Sequence, residues 1–310
     1  NISAFISVMR GCDRFCSYCI VPYVRGREQS RPAKDIVAEA TDLADHGIKE
    51  IFLLGQNVAG YGMSGSKKKS SSSPFADLLR ELNKIEPIKR IRFTSPHPLY
   101  FNDELIKAVA ELPKVCKNIH LPLQSGSDAI LKKMNRNYTA EYYLDIVAKL
   151  KILVPQITFS TDIIVGFSGE NEADFEATRN IVHNVEFDNA FIFKYSPREG
   201  TKSANFADDV PYEIKEKRNQ ILLEDLAKIT LKRNKSLIGK SFEVLVEGES
   251  KRNPERFCGR TDTNKVVVFD PDENTKPGDL FLVDIERATA MTLYGRISNI
   301  RSQISNSGKI

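Results

Sequence analysis

The feature that most constrains this chain is a regular alternation of strand-like and helix-like segments over its first 235 residues. Residues 2–9 alternate apolar and polar side chains with a period of two, which is typical of a half-buried strand. The next segment places Ile36, Ala40 and Ala44 on one face of a helix. The same pattern then predicts further strands at 48–54, 90–94, 117–121, 157–165 and 190–195.

Helices are predicted between and after these strands, at 75–86, 102–112, 171–185 and 211–236, and helical stretches are predicted from 127 to 153. Strands and helices that alternate in series favour a parallel sheet with the helices outside it. We therefore predict an α/β fold, a partial (β/α)6 barrel over residues 1–236. In barrels of this type the chemistry lies at the carboxyl ends of the strands.

The pattern changes after Gly239, where helices give way to short alternating strands. The predicted strands lie at 242–246, 256–260, 266–269, 280–285 and 292–297. Short strands separated by Gly, Pro, Asn and Asp indicate a small all-β barrel of the oligonucleotide-binding kind. We predict that this second domain covers 237–303 and that 304–310 is a tail.

Composition excludes several classes of protein. Of 310 residues, 41% are hydrophobic and 28% charged, as in ordinary soluble domains, which excludes a collagen-like or disordered chain. No apolar run approaches the roughly 18 residues that a membrane helix needs. The chain has five cysteines, and this sparse, odd number argues against a disulfide scaffold and indicates a reducing cytoplasm.

Three of the cysteines form the sharpest motif in the sequence. Cys12, Cys16 and Cys19 have the spacing C-x3-C-x2-C directly after the first predicted strand. A structural zinc site normally has a fourth ligand, and the nearest histidine, His46, falls at the far end of a predicted helix. Three thiolates suit a four-iron cluster whose fourth iron stays open. The spacing therefore predicts an open iron–sulfur centre.

The stretch CDRFCSYC, residues 12–19, resembles the cluster loop of radical S-adenosylmethionine (SAM) enzymes, and Tyr18 stands at the position of that family's aromatic residue. The resemblance implies a [4Fe–4S] cluster held by Cys12, Cys16 and Cys19. It also implies that the open iron binds SAM, which is cleaved after an electron is supplied.

Other stretches resemble the methylthiotransferases within that family, and most of all the isopentenyladenosine branch. They are residues 21–32, 53–62, 92–98, 120–139, 161–170 and 195–201. Residues 246–269 resemble the TRAM RNA-binding domain that ends these proteins. The family also has an N-terminal domain holding a second [4Fe–4S] cluster, so we expect this chain to be the later part of a longer protein.

The resemblance also implies contacts to SAM. The implied residues are Tyr18, Gln56, Asn57, Gln124, Ser125, Asp162 and Gly166. Gln56 and Asn57 end the second strand, where the family contacts the methionyl amino group, and Gly166 would let the backbone approach the adenine. Asn, Ser and Gly also favour turns at strand ends without any ligand. His97, between two prolines, fits a turn and a substrate contact equally well.

Basic residues indicate contacts to a polyanion. The candidates for RNA binding are Arg25, Arg27, Arg31, Lys251, Arg252, Arg256 and Arg260. Lys and Arg equal Asp and Glu in number over residues 236–310, so RNA binding by the second domain rests on the resemblance more than on charge.

The reaction that the resemblance implies adds a methylthio group to carbon 2 of N6-isopentenyladenosine beside the tRNA anticodon. This C–H bond is unactivated, so acid–base or thiolate chemistry alone does not replace its hydrogen. The expected partners are the tRNA anticodon loop, a sulfur donor and an electron donor such as flavodoxin or ferredoxin. We expect a monomer with no membrane contact.

Two kinds of alternative stay open. Related methylthiotransferases modify threonylcarbamoyladenosine in tRNA or an aspartate of a ribosomal protein. The more distant alternative is a non-catalytic RNA-binding protein with a structural metal, although structural metal sites are closed by a fourth ligand.

Overall fold

The computed structural model describes residues 1–63 and 72–298. The chain divides into two compact units, the first running to Leu226 and the second beginning at Ala227. The predicted tail, 304–310, and the last residues of the predicted second domain, 299–303, lie outside the described residues. Among the helices described, none is long and apolar enough to cross a membrane.

The first unit alternates strands and helices in the predicted order, and α8 continues into the second unit. The elements are β1 (Ser3–Ser7), β2 (Met9–Arg10), α1 (Val21–Val24), β3 (Gln29–Ser30), α2 (Ala33–Asp45), β4 (Glu50–Leu54), α3 (Pro74–Asn83), β5 (Arg90–Phe93), α4 (Asp103–Glu111), β6 (Asn118–His120), α5 (Asp128–Lys133), α6 (Ala140–Leu153), β7 (Thr158–Val165), α7 (Glu172–Val185), β8 (Asn189–Lys194) and α8 (Tyr212–Lys235).

Six strands of the first unit pair in parallel and form two three-stranded sheets in sequence order, β1-β4-β5 and β6-β7-β8. The chain just before β6 joins them, because the Ile91 N–H donates to Lys114 O at 2.7 Å and the Cys116 N–H donates to Ile91 O at 3.0 Å. All carboxyl ends of these strands therefore lie on one edge. This confirms the predicted partial (β/α)6 barrel.

One local prediction is wrong. The predicted strand 2–9 breaks at Val8, and β2 turns away to pair antiparallel with β3. The predicted helical stretches from 127 to 153 are α5 and α6, and they are separated where Asn135 and Asn137 have φ of 58° and 57°. Asparagine tolerates this left-handed conformation, which cannot continue an α-helix.

Helix starts in the first unit follow ordinary capping chemistry. The Ser73 side chain accepts from the Ala76 N–H at the start of α3, and Asn102 accepts from the Leu105 N–H at the start of α4. Asn171 begins α7 with a reciprocal capping box. These caps fix where each helix leaves the sheet, so the loops at the carboxyl edge have defined positions.

The second unit contains the predicted all-β barrel. Its strands are β9 (Ser241–Ser250), β10 (Asn253–Thr261), β11 (Val266–Asp270), β12 (Leu280–Ala288) and β13 (Leu293–Ile297), in the closed order β10-β11-β13-β12-β9. The interior is filled by Val244, Val246, Val267, Phe269, Val283, Ile285 and Leu293. Gly259 is required where β10 crosses β9, because a Cβ there would lie 2.2 Å from Leu245 O. The five-stranded barrel is thus confirmed.

Candidate functional site

The cysteine motif lies on the loop between β2 and α1. Gly11 opens this loop with φ of 73°, and a Cβ there would lie 2.1 Å from Arg27 O. The Cys12 N–H donates to Gly26 O at 3.2 Å. Only glycine allows this close approach, so the entry to the loop is held in one conformation.

The far side of the loop is held by the turn after α5. The Ser17 hydroxyl donates to Lys133 O at 2.8 Å, and the Ser17 N–H donates to Met134 O at 3.0 Å. Asn135 Nδ2 donates to Phe15 O at 2.9 Å. The left-handed Asn135 between α5 and α6 therefore helps to anchor the cysteine loop.

The three cysteines are free thiols in a largely dry environment. Cys12 and Cys16 are buried and Cys19 is half-buried. Burial raises the pKa of Cys12 to about 11 and also raises the pKa of Cys19, and the neighbouring cysteines add to both effects. Metal ligation requires the thiolate form, so a cation must offset this burial.

The donor chemistry fits an iron–sulfur cluster. Three thiols lie close enough to influence one another's ionisation, and each could hold one iron of a four-iron cluster. Within residues 1–63 and 72–298, no group of three or more His, Cys, Asp or Glu side chains is arranged so that it could hold a single metal ion.

A buried arginine contacts this loop. Arg136 Nη1 lies 3.5 Å from Cys16 Sγ, Nη2 donates to Pro122 O at 3.3 Å, and Nε donates to the Tyr138 hydroxyl at 3.0 Å. No role for Arg136 follows from the sequence, because nothing in the local pattern shows that this side chain points inward.

A cluster of polar side chains lies at the carboxyl ends of β4 and β5. Asn57 Oδ1 accepts from the His97 N–H at 3.1 Å, and the His97 ring packs edge-on against Tyr138 at 5.5 Å. Gln56 Oε1, Asn57 Nδ2 and His97 Nε2 are buried and have no hydrogen-bond partner. Buried polar atoms rarely stay unpaired, so this cluster indicates a place where a ligand supplies the partners.

Burial lowers the pKa of His97 well below its usual value, and the nearby charges of Arg136 and Arg14 lower it further. His97 is therefore neutral at physiological pH. Its Nδ1 accepts from the Leu99 N–H at 3.3 Å, so Nε2 carries the proton and is the unpartnered donor.

Three of the predicted SAM residues line one cavity of about 630 Å³, namely Tyr18, Gln124 and Asp162. Gln124 reaches it from the end of β6 with φ of 70°. Arg198 and Glu199, which the sequence analysis did not select, line the same cavity. The cavity thus combines an aromatic ring, an amide and both signs of charge.

Ser125 and Gly166 do not line this cavity. The Ser125 hydroxyl accepts from the Ser127 N–H at 3.2 Å and contacts the Thr178 hydroxyl at 3.4 Å. Gly166 has φ of 68°, and a Cβ there would lie 2.3 Å from Lys215 Cγ. Both residues are therefore explained by contacts within the protein.

The basic candidates in the first unit differ in their engagement. Arg25 is exposed, whereas Arg27 forms an ion pair with Asp13 at 3.4 Å. Arg31 forms an ion pair with Glu39 at 2.7 Å and also donates to a backbone carbonyl.

The basic candidates in the second unit line one open depression of about 910 Å³ on the barrel. They are Lys251, Arg252, Arg256 and Arg260. Arg256 forms a bidentate pair with Asp270 at 2.6 and 2.8 Å, and Arg260 pairs with Glu247 at 2.8 Å. Lys251 and Arg252 are exposed.

Comparisons with known proteins extend this description. A tRNA-2-methylthio-N(6)-dimethylallyladenosine synthase of Clostridium botulinum is 50% identical over 295 residues, which is 95% of this chain and 64% of that protein. A protein of the same name from Methylacidiphilum infernorum is 48% identical over 94% of this chain and 62% of its own length. The chain thus spans less than two thirds of these relatives.

Two solved structures share the fold of the chain. Coproporphyrinogen III oxidase from Escherichia coli, a radical SAM enzyme, aligns with a TM-score of 0.53 and 10% identity over 84% of this chain and 67% of its own. Streptococcus suis SuiB bound to S-adenosylmethionine aligns with a TM-score of 0.51 and 12% identity over 73% of this chain and 48% of its own.

Family models match both units. Residues 235–298 match the TRAM domain, and residues 6–182, more than half of the chain, match the radical SAM superfamily. That superfamily uses a [4Fe–4S] cluster together with SAM, and three thiols on one loop are donors of the kind that such a cluster needs. By its sequence, its fold and its cysteine loop, the chain belongs to the radical SAM superfamily.

Proposed function

We propose that this chain is the radical SAM and TRAM part of an enzyme that adds a methylthio group to carbon 2 of N6-isopentenyladenosine in tRNA. The observation that carries this proposal is the 48–50% identity, over 94–95% of the chain, to relatives named as synthases of that modified nucleoside. Residues 1–236 would form the radical SAM core domain, and residues 237–303 the TRAM domain.

The cysteine loop would hold the cluster through Cys12, Cys16 and Cys19. When bound, the cluster and SAM supply the radical chemistry that can replace an unactivated hydrogen. The hydrogen bond from the Ser17 hydroxyl to Lys133 O and the close approach of Gly11 to Arg27 O hold the loop of the three thiols in one conformation. Burial excludes water from the loop, and such exclusion protects reactive species from side reactions.

The polar groups at the strand ends would orient SAM. Gln56 Oε1 is a buried acceptor without a partner, and it suits a methionyl ammonium group. Tyr18, Gln124 and Asp162 line the cavity of about 630 Å³ and would position the rest of the molecule. For Ser125 and Gly166, we propose that they support these contacts through the backbone.

The basic residues would bind tRNA. Unpaired loop bases are the usual targets of RNA recognition, and an enzyme that acts on a base takes it out of its stack. Exposed Arg25, Lys251 and Arg252 are the side chains best placed to meet phosphates. Arg27, Arg31, Arg256 and Arg260 would first have to leave or share their carboxylate partners.

We further propose that a second [4Fe–4S] cluster is held by a part of the protein outside these 310 residues. This rests on the resemblance to methylthiotransferases and on the 64% of the relatives' length that the chain spans. The proposed protein is a cytoplasmic monomer that takes electrons from a flavodoxin or ferredoxin and sulfur from a separate donor.

The decisive experiment is mass spectrometry of tRNA nucleosides from cells that lack the complete gene. We expect loss of 2-methylthio-N6-isopentenyladenosine, with the unmethylthiolated nucleoside accumulating. The complete gene should restore the product, and a copy carrying Cys16→Ala should not. Loss of the methylthio group from threonylcarbamoyladenosine instead would show that the substrate is wrong.

An unchanged nucleoside profile would contradict tRNA methylthiolation altogether and direct attention to the ribosomal protein. Metal analysis of the purified chain separates the non-catalytic alternative. Iron with equimolar acid-labile sulfide fits the proposal, whereas zinc without sulfide fits an RNA-binding protein with a structural metal.

A further inference from the structure

Arg136 is a buried cation with an unusual set of neighbours. Only 6% of the residue is exposed. Its guanidinium donates to a carbonyl and to the Tyr138 hydroxyl, and it contacts Cys16 Sγ. In the part of the chain that the structure describes, no carboxylate forms an ion pair with Arg136.

A buried guanidinium needs a compensating negative charge. Transfer of a charge from water into a protein interior is costly unless the charge is paired, and arginine does not lose its proton in proteins. Among the groups that touch Arg136, the carbonyl and the tyrosine hydroxyl are neutral at physiological pH. The Cys16 sulfur is the one that becomes an anion when it ligates iron.

The fork is held in one orientation. Nε and Nη2 are fixed by Tyr138 and Pro122, and the Tyr138 hydroxyl is itself anchored to the carbonyls of Pro122 and Leu123 at 3.1 and 2.9 Å. Nη1 is thereby aimed at Cys16 Sγ. The geometry places a permanent positive charge beside one ligand of the proposed cluster rather than a mobile side chain near it.

We propose that Arg136 is a positioning residue that compensates the negative charge of the cluster held by Cys12, Cys16 and Cys19 and raises its reduction potential. The proposal rests on the cluster of the proposed function but not on its substrate. A [4Fe–4S] core with two positive charges and three thiolates carries one net negative charge, and one electron from an external reductant makes it two. A fixed cation therefore stabilises the reduced form more than the oxidised form.

The test is an EPR-monitored redox titration of the chain reconstituted with iron and sulfide, without SAM, using dithionite as reductant. Arg136→Met removes the charge and puts an unbranched apolar side chain in its place, an exchange that buried sites often tolerate. We expect a fall of at least tenfold in the equilibrium constant for one-electron reduction, which corresponds to about 59 mV. Arg136→Gln is the second neutral variant if Arg136→Met does not fold.

Two controls separate charge from packing. Arg136→Lys keeps the cation and loses the planar fork, so its potential should stay closer to the wild-type value than that of Arg136→Met. Tyr138→Phe disturbs the same hydrogen bonds and leaves the charge, so its shift should also be small. Far-ultraviolet circular dichroism and iron content confirm that each variant is folded and loaded.

An Arg136→Met or Arg136→Gln chain with full iron content and an unchanged potential would overturn the inference. A shift in Arg136→Lys as large as in Arg136→Met would overturn it too, because geometry rather than charge would then be responsible. A wild-type chain that assembles no four-iron cluster would overturn the proposed function as well, and this outcome is recognised before any variant is compared.

Discussion

The two units of this protein treat their polar groups and sheet edges in opposite ways. The second unit closes five strands into a barrel, and in its described part, 227–298, no buried side-chain nitrogen or oxygen lacks a hydrogen-bond partner. The first unit leaves its sheets open and buries the partnerless Gln56 Oε1, Asn57 Nδ2 and His97 Nε2 at one edge. Two phenylalanines illustrate the closed interior and the open strand, since Phe269 in the barrel is fully buried and Phe191 on β8 is 52% exposed.

This difference indicates where stability and chemistry are located. A closed barrel has no free strand edge, and its interior is continuous and apolar. Most of its sequence is therefore explained by the stability of the fold. Unsatisfied groups that persist in a well-packed unit cost free energy, and they are expected at functional sites. The buried polar atoms of Gln56, Asn57 and His97 lie at the strand ends, which is where the proposed cofactors would bind.

The largest expected effect comes from removing one cluster ligand. In Cys16→Ala we expect iron content to fall from about four atoms per chain to near zero after reconstitution. The barrel shares none of these contacts, so the unfolding transition of the second unit should not move. Cys258→Ala is the matched control, because Cys258 lies on β10 of the second unit and not on the cysteine loop. This variant should keep full iron content. Full iron content in Cys16→Ala would remove this cysteine from the proposed ligands.

A matched pair of phenylalanines tests the packing contrast directly. Phe269→Ala leaves a cavity in the barrel core and should lower the free energy of unfolding of the second unit by about 3–5 kcal/mol. Phe191→Ala removes an exposed ring and should change the stability of the first unit by no more than about 0.5 kcal/mol. Urea denaturation of each variant measures both values. Similar losses in the two variants would show that Phe191 is packed rather than open.

Much of the architecture could be predicted because periodicity is a local property of the sequence. Strand alternation and helix faces predicted the order of elements in both units, and Gly and Pro marked most of the boundaries. The break at Val8 and the position at which α5 ends could not be predicted in the same way. They depend on the tertiary pairing of β2 with β3 and on the left-handed Asn135, which anchors a distant loop.

The site was predicted less completely for a related reason. The spacing of Cys12, Cys16 and Cys19 is visible in the sequence, since the proposed ligands share one loop. The roles of Arg136 and of the unpartnered Nε2 of His97 become visible only from burial and from neighbours that are distant in sequence. The roles assigned to Ser125 and Gly166 stay predictions.

The neutral His97 makes the open edge of the first unit sensitive to acid. Because burial holds the pKa of His97 well below the usual 6.5, the unfolded chain binds more protons than the folded chain once the pH falls below that value. The contribution of His97 to the free energy of unfolding is therefore complete above pH 6.5. Below that pH it declines by up to about 1.4 kcal/mol for each pH unit.

Denaturation of wild-type protein and His97→Asn at pH 7.5 and 5.5 measures this difference. Asparagine can still accept from the Leu99 N–H but cannot take up a proton, so the variant should lose less stability on acidification than the wild type. Equal losses would show that His97 is not the group responsible, and the second unit, measured in the same titration, supplies the internal reference.

The smallest effect concerns the surface of the barrel and sharpens the contrast between paired and unpaired charge. Lys251 and Arg252 are exposed, whereas Arg256 is held by Asp270. If the second unit binds the phosphates of tRNA, Arg252→Ala should reduce the slope of log K against log[salt] by about 0.7–0.9, the contribution of one phosphate contact. Arg256→Ala should reduce it less, because a guanidinium already paired with a carboxylate neutralises less phosphate charge and so displaces fewer counterions from the RNA. Filter binding of unmodified tRNA between 50 and 200 mM salt measures both slopes. A larger change for Arg256 would mean that the pair with Asp270 opens on binding, so that the engaged arginines form the RNA contact and the exposed residues do not.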